Sequence, residues 1–479
     1  MKLFKYISAL ALIGALAACA PDDVQMPAVS ETNYGTSSDA IAMLTDTWGT
    51  PLVTNVQFRD SGAINVKVAL TKPLSSDAAF TLTYDAAALD AFNAAHGTSY
   101  QALPQELTGI PTAITVKGGA LHSDSCMVTY ITSPALDSLA TYAIPLSIKS
   151  NNAVRVSDTT GSLIVLAKDI SRAPDCAKST GIRIVSCMDI SHTNPLNHTL
   201  FTLKESGKPF FDMVILFSSN IRIDPVTGRV GIYHSPGASQ ALNNYMTYLK
   251  PLQDMGMKIV LSILPKGDGV GLCNLSDEGY RYLAQQISNT LDAYHLDGVF
   301  FDEEYANYSG HPLTGQDFVP YTAGTAKERA ARLIFETKKA IKDKLTIVYA
   351  YSTLSSLPAI DEVPSGEYVD MAINDYLVST DRSKSFPGMD KMNMGIYSQE
   401  CALNKYATAT QLRSLRSKGF GLMMFFDMNP FNLSSGVSNF ASKQIPALER
   451  TCQYLFDETL VYPDASGDNY KVNYYKSNW

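Results

Sequence analysis

Clustered metal ligands are missing from this chain of 479 residues. Its seven histidines, His192, His198 and His234 among them, show no ligand spacing, and none of its seven cysteines falls in a zinc-binding pattern. No metal and no cofactor is expected. The basic residues are scattered and form no stripe, and the net charge is -8, so nucleic acid is not an expected partner. A glycine-rich phosphate loop is also lacking after the first apolar strand of the larger domain, which argues against the nucleotide site of a doubly wound sheet. Tyrosine, in contrast, is abundant at 26 residues, and flat hydroxyl-rich ligands suit such surfaces.

Lys2 and Lys5 precede an apolar run from Ile7 to Leu16, which ends in Leu16-Ala-Ala-Cys19. Charged, hydrophobic and small-residue regions in that order make a secretory signal, too short for a typical membrane span. The ending resembles a bacterial lipoprotein box, which implies cleavage before Cys19 and lipid attachment to its sulfur. Ala20-Pro-Asp-Asp23 is similar to the acidic export tag of Bacteroidetes-type lipoproteins. The resemblance implies an outer-membrane lipoprotein, held by its lipid anchor only and exposed at the cell surface. Cys126, Cys176, Cys187, Cys273, Cys401 and Cys452 lie mostly in or beside apolar runs and are expected as buried free thiols.

Composition and periodicity divide the chain into a signal peptide (1–19), a polar flexible linker (20–45), a β-sandwich (46–168), a (β/α)8 barrel (175–460) and a tail (461–479). In the sandwich, stretches such as 63–70, 79–84, 113–117 and 142–148 alternate apolar and polar residues. One helix interrupts them over 85–97, opened by Asp85 and stopped by Gly97. This helix and the segment to Pro104 resemble a domain found ahead of glycan-degrading barrels. Further on, apolar strands alternate with helix-length segments. The strands are expected at 182–186, 213–217, 258–264, 298–302, 345–350, 368–373, 392–397 and 421–426. Eight in series predict an α/β TIM barrel whose chemistry sits at the carboxyl ends of the strands.

The fourth of these strands ends in three acids, Asp302, Glu303 and Glu304. Acids after a strand often lie in an exposed loop or cap a helix. Here the alternation of a strand puts Phe300, Asp302 and Glu304 on one face and Glu303 on the other, with Asp302 and Glu304 about 6.6 Å apart at roughly 3.3 Å per residue. Like charges so placed raise one another's pKa, which keeps one carboxyl protonated and able to act as an acid.

The run Leu296-Asp-Gly-Val-Phe-Phe-Asp-Glu-Glu-Tyr305 resembles the D-x-x-D-x-D-x-E signature of glycoside hydrolase family 18, with Asp297, Asp302 and Glu304 matching. Phe300 stands where the family usually has an inner carboxylate. Asp302 is therefore expected to keep its charge, with a lower pKa than in the usual trio. Tyr305 directly after the glutamate is most similar to the endo-β-N-acetylglucosaminidases of that family, which cut between the two core GlcNAc residues of N-glycans. The resemblance implies Glu304 as acid and base, Asp302 as the acceptor of the acetamido N–H, and Asn374 and Tyr376 after strand six as groups holding the acetamido. It further implies substrate contacts from Tyr305, Phe300, Asn274, Phe426 and Asp427. N-glycans are the expected partner of a monomeric enzyme. A non-catalytic surface glycan binder and a chitinase-like hydrolase are the alternatives. The two intact acids oppose the first, and the short segment between strands seven and eight opposes the second.

Overall fold

The computed structural model describes residues 39–137, 140–152, 154–309, 313, 315–429 and 440–462. The signal peptide with Cys19, most of the expected linker and all but the first two residues of the expected tail lie outside the described residues. The first unit is a sandwich of two sheets. One runs Arg155–Val156, Ile41–Asp46, Ser61–Leu70, Cys126–Ile131, Thr108–Gly109; the other runs Leu52–Phe58, Ser162–Asp169, Thr141–Ser150, Ala78–Tyr84, Ala113–Val116. Inward residues such as Val66, Phe80, Val128, Ile144 and Val165 fill the space between them. The helix Ala86–His96 begins at Asp85, whose side chain accepts the Ala88 N–H, and ends at Gly97 with φ 63°. Its Leu89 packs with Ala143 and Ile164 on the outer side of the second sheet.

The linker boundary at residue 45 is corrected by this arrangement. Ile41–Asp46 is a strand paired antiparallel with Ser61–Leu70, and its Ala42 and Leu44 are fully buried. The inward alternation of those two residues is short, and the polar residues before it disguise it.

The second unit is a closed parallel barrel. Its strands are β1 (Arg183–Asp189), β2 (Met213–Ile223), β3 (Lys258–Pro265), β4 (Gly298–Phe301), β5 (Leu345–Tyr349), β6 (Met371–Ile373), β7 (Met394–Gly395) and β8 (Leu422–Phe426). Each pairs with the next, and β1 closes on β8 from Arg183 opposite Leu422 to Cys187 opposite Phe426. The expected fold is thus the observed one. Helices α1 (Asp277–Ala293), α2 (Ala326–Ile341), α3 (Ala409–Ser417) and α4 (Ile445–Phe456) pack outside, burying their apolar faces against the outward residues of the strands. Inward residues including Val185, Ile215, Val260, Ile347 and Leu422 fill the barrel.

Strand β7 differs from its expected span of 392–397. Asp390 caps a turn over Lys391–Asn393 by accepting the Met392 N–H at 2.8 Å, which delays the strand. After Tyr397, at φ 58°, the chain resumes as Gln399–Glu400, paired with Phe425 and Phe426 at the far end of β8. Val461 also leaves the expected tail, because Leu460–Val461 pairs with Thr202–Leu203. All six cysteines beyond Cys19 are free thiols, and all but Cys126 are buried.

Candidate active site

At the carboxyl ends of the barrel strands lies a cavity of about 240 Å³. Its apolar walls come from Cys187 on β1, Phe217 on β2, Phe300 on β4, and Met424 and Phe426 on β8. Asp302, Glu304 and Glu400 bring three carboxyls to it, and Tyr305, Tyr349 and Tyr376 bring phenols. An apolar enclosure with a few convergent polar groups is the usual form of a small-molecule site.

The three acids after β4 separate as alternation requires. Asp302 is 3% exposed and accepts the Glu304 N–H at 2.9 Å. Its carboxyl is pushed up to about 7, first by burial and second by the charge of Glu304. The expected lowering rested on the like charge missing at Phe300, whereas burial acts in the opposite direction and lifts the carboxyl above its ordinary range. Glu304 is half-buried, and its pKa is raised by burial and then by Asp375. Asp302 is the more deeply buried of the pair. Glu303 turns the other way and accepts the Leu272 N–H at 3.0 Å and the Tyr308 hydroxyl, which stitches β4 to the loop after β3. Burial raises its carboxyl to about 7 as well.

Asp297, the first acid of the motif, lies at the opposite end of the barrel. It accepts Lys258 Nζ at 3.0 Å, Gln253 Nε2 at 2.7 Å and the Ile259 N–H at 2.9 Å, a brace between β3 and β4.

Of the other expected contacts, Tyr305, Phe300, Tyr376 and Phe426 line the cavity. Tyr305 is 71% exposed at the rim, and the buried Phe300 ring stands 6.3 Å from Tyr349. Tyr376 lies between Tyr349 and Phe426, at 6.4 and 6.1 Å between ring centres, and burial raises its pKa so that it stays a hydroxyl donor. Three residues do not line it. Asn374 is buried with its amide committed to Thr380 O at 2.8 Å and its carbonyl to Arg382 Nε, because the chain leaves the strand after Ile373 and alternation no longer relates it to Tyr376. Asn274 folds onto its own loop, accepting the Gly271 N–H at 3.1 Å and donating to Gly269 O at 2.8 Å. Asp427 follows the inward Phe426 and so turns away, 3.5 Å from His192, its carboxyl raised to about 6 by burial.

Sequence reasoning missed Tyr349 and Glu400. Tyr349 was findable, since Leu345, Ile347 and Tyr349 share one face of β5. Its hydroxyl donates to Asp375 Oδ1 at 2.5 Å. Glu400 was not, because it reaches the cavity only through the interruption of β7 at Tyr397.

A family model described as an N-terminal domain matches residues 38–155. Over 282 residues the chain is 45% identical to endo-β-N-acetylglucosaminidase F1 of Elizabethkingia meningoseptica, a match covering 59% of this chain and 80% of that protein. It is 27% identical over 238 residues to an endo-β-N-acetylglucosaminidase of Flavobacterium sp. (strain SK1022), covering 49% and 71%. Among solved structures it resembles EndoBT-3987 of Bacteroides thetaiotamicron, determined with a Man5GlcNAc product, at a TM-score of 0.66 and 27% identity over 91% of this chain and 99% of that one. The same enzyme with a Man9GlcNAc2Asn substrate matches at a TM-score of 0.66 and 26% identity. With the catalytic half so closely related in sequence and both domains shared with a solved enzyme, the chain belongs to the endo-β-N-acetylglucosaminidases of glycoside hydrolase family 18.

Proposed function

We propose that this glycoside hydrolase cuts the GlcNAc-β-1,4-GlcNAc core of N-glycans with the substrate's own 2-acetamido oxygen as nucleophile. The observation that carries the mechanism is the entry of Asp302, Glu304 and Tyr376 into one cavity. A retaining enzyme of the usual kind sets two carboxyls on opposite sides of the bond, about 5 to 5.5 Å apart. Here the two come from one strand end, which suits the substrate-assisted route. Glu304 donates its proton to the glycosidic oxygen as that bond breaks, and the acetamido oxygen closes on the anomeric carbon to form an oxazolinium ion. Asp302 accepts the acetamido N–H and balances the positive charge. Tyr376 donates its hydroxyl to the acetamido oxygen and holds it in line, a positioning effect. Glu304, now a carboxylate, then takes a proton from water, which opens the ring with net retention.

High-mannose glycans are the proposed class, supported by the Man9GlcNAc2Asn bound by the relative. The chain acts as a monomer tethered through lipid on Cys19 at the cell surface, a reading supported by Leu16-Ala-Ala-Cys19 and the acids after it. Labelling of the wild type but not of Cys19→Ser by a fatty-acid analogue tests the anchor.

Glu304→Gln keeps shape and removes the transferable proton, so release of glycan from a high-mannose glycoprotein should fall by at least about a hundredfold while glycan binding persists. Unchanged turnover removes Glu304 from the mechanism. Asp302→Asn should impair hydrolysis more than reaction with a preformed sugar oxazoline, and equal loss with both donors would count against the substrate-assisted route.

A further inference from the structure

We propose that Glu400 reads a free hydroxyl of the GlcNAc seated in the cavity, which makes it a sugar-specificity residue separate from the cleavage pair. This rests on the function proposed above. Glu400 is 4% exposed, yet it lines the same cavity as Asp302 and Glu304 and arrives from the opposite part of the ring, beside β8 rather than on β4. Its carboxylate is fixed before any substrate arrives. Oε1 accepts the Ala402 N–H at 3.1 Å and Oε2 the Leu403 N–H at 2.7 Å, inside a turn closed by paired backbone bonds between Glu400 and Lys405.

A carboxylate has about four acceptor positions, and these two bonds use two. The rest of the cavity wall nearby is apolar or phenolic: Phe426 and Met424 accept nothing strong, and Tyr376 is a donor. A group that offers only acceptors suits hydroxyl donors. In the core, the GlcNAc on the non-reducing side of the cut has its C1 in the scissile bond, its C2 in the acetamido and its O4 in the link to mannose. Only the 3- and 6-hydroxyls remain to be read. A charge-assisted bond to one of them in an enclosed site is worth about ten- to hundredfold in affinity.

The competing account is that Glu400 merely braces the 400–405 turn, whose Lys405 ammonium stands 5.4 Å from the Tyr376 ring centre. A deoxy-substrate cycle separates the two. Binding of a high-mannose glycan-asparagine, and of its 3-deoxy and 6-deoxy core forms, is measured by calorimetry on full-length Glu304→Gln and on Glu304→Gln carrying Glu400→Gln or Glu400→Asp. One deoxy form should bind Glu304→Gln about ten- to hundredfold more weakly than the native glycan, yet bind the Glu400 variants as well as the native glycan does. A penalty of the same size with and without Glu400 overturns the proposal. So does a parent protein indifferent to both deoxy forms, a result that stands even where the Glu400 variants fold poorly. Failure of the wild type to cleave a glycan that Glu304→Gln binds would instead overturn the proposed function and leave the hydroxyl-reading result to be judged by itself.

Discussion

The carboxyl of Asp302 is held up to about 7 inside the folded protein, against 3.8 for the free side chain. Between those values the folded state binds more protons than the unfolded one, so stability falls as pH rises from roughly 4 to 7 and stays low above. Asparagine carries no charge to desolvate and can still accept the Glu304 N–H. Asp302→Asn should therefore stabilise the protein at pH 8, by roughly 4 kcal/mol as a ceiling at 1.36 kcal/mol per pKa unit, with the gain vanishing toward pH 4. Urea unfolding at both pH values measures it, and an equal gain at both would assign the effect to packing. The same substitution should cripple cleavage, a conflict between stability and activity expected where a site keeps two repelling acids. The pair works with one proton between its members, and burial of both carboxyls holds that proton above the ordinary carboxylate range. Initial rates should consequently decline with rising pH only beyond the ordinary carboxylate range, and a rate still rising at about pH 8 would mean that the protonated acid is some other group.

Strand β4 carries the pair, and its first residue sets where the strand sits. A Cβ on Gly298 would meet the Leu345 carbonyl oxygen at 2.5 Å and its Cα at 3.0 Å, both backbone atoms of β5. Neither can rotate away, so Gly298→Ala must spread β4 from β5, at a cost of about 1–3 kcal/mol. Because Asp302 lies only four residues further on, kcat should fall along with the melting temperature; a stability loss with kcat intact would show the strand end to be held independently, for instance by Glu303 and its bond to the Leu272 N–H. Regular strands were the legible part of this barrel. Alternation along β4 placed Asp302 in the cavity and Glu303 outside it, and all eight strands could be read from apolar runs because each is buried on both faces. Past the strand ends alternation still placed Asp302, one residue beyond β4, but it failed elsewhere. Asn374 lies one residue beyond β6 and Glu400 beyond the break in β7, and in each case the side chain's direction is set by a local turn that no periodicity encodes.

Two cores, one in the sandwich and one around the barrel, were visible in the sequence as a change from two-residue alternation to strand and helix, but the contact between them was not, since it is made by single side chains. Trp48 from the sandwich meets Phe335 of α2 edge to face, with ring centres 5.8 Å apart and planes at 65°. Lys342, just past the end of α2, donates to Val53 O at 3.0 Å. Lys342 precedes β5, so this seam touches the amino-terminal side of the barrel, away from the cavity at the carboxyl ends. An aromatic edge-to-face pair is worth about 0.5–1.5 kcal/mol beyond the area it buries, enough to tie two otherwise self-sufficient cores into one melting unit. Trp48→Ala should thus split or broaden the calorimetric unfolding transition while kcat/KM on a free glycan-asparagine stays within about twofold of wild type. A single sharp transition would show that the remaining contacts, the Lys342 bond to Val53 O among them, couple the domains. A large fall in kcat/KM would show instead that the seam reaches through the barrel to the strand ends, and the sandwich would then have to be counted as part of what shapes the cavity.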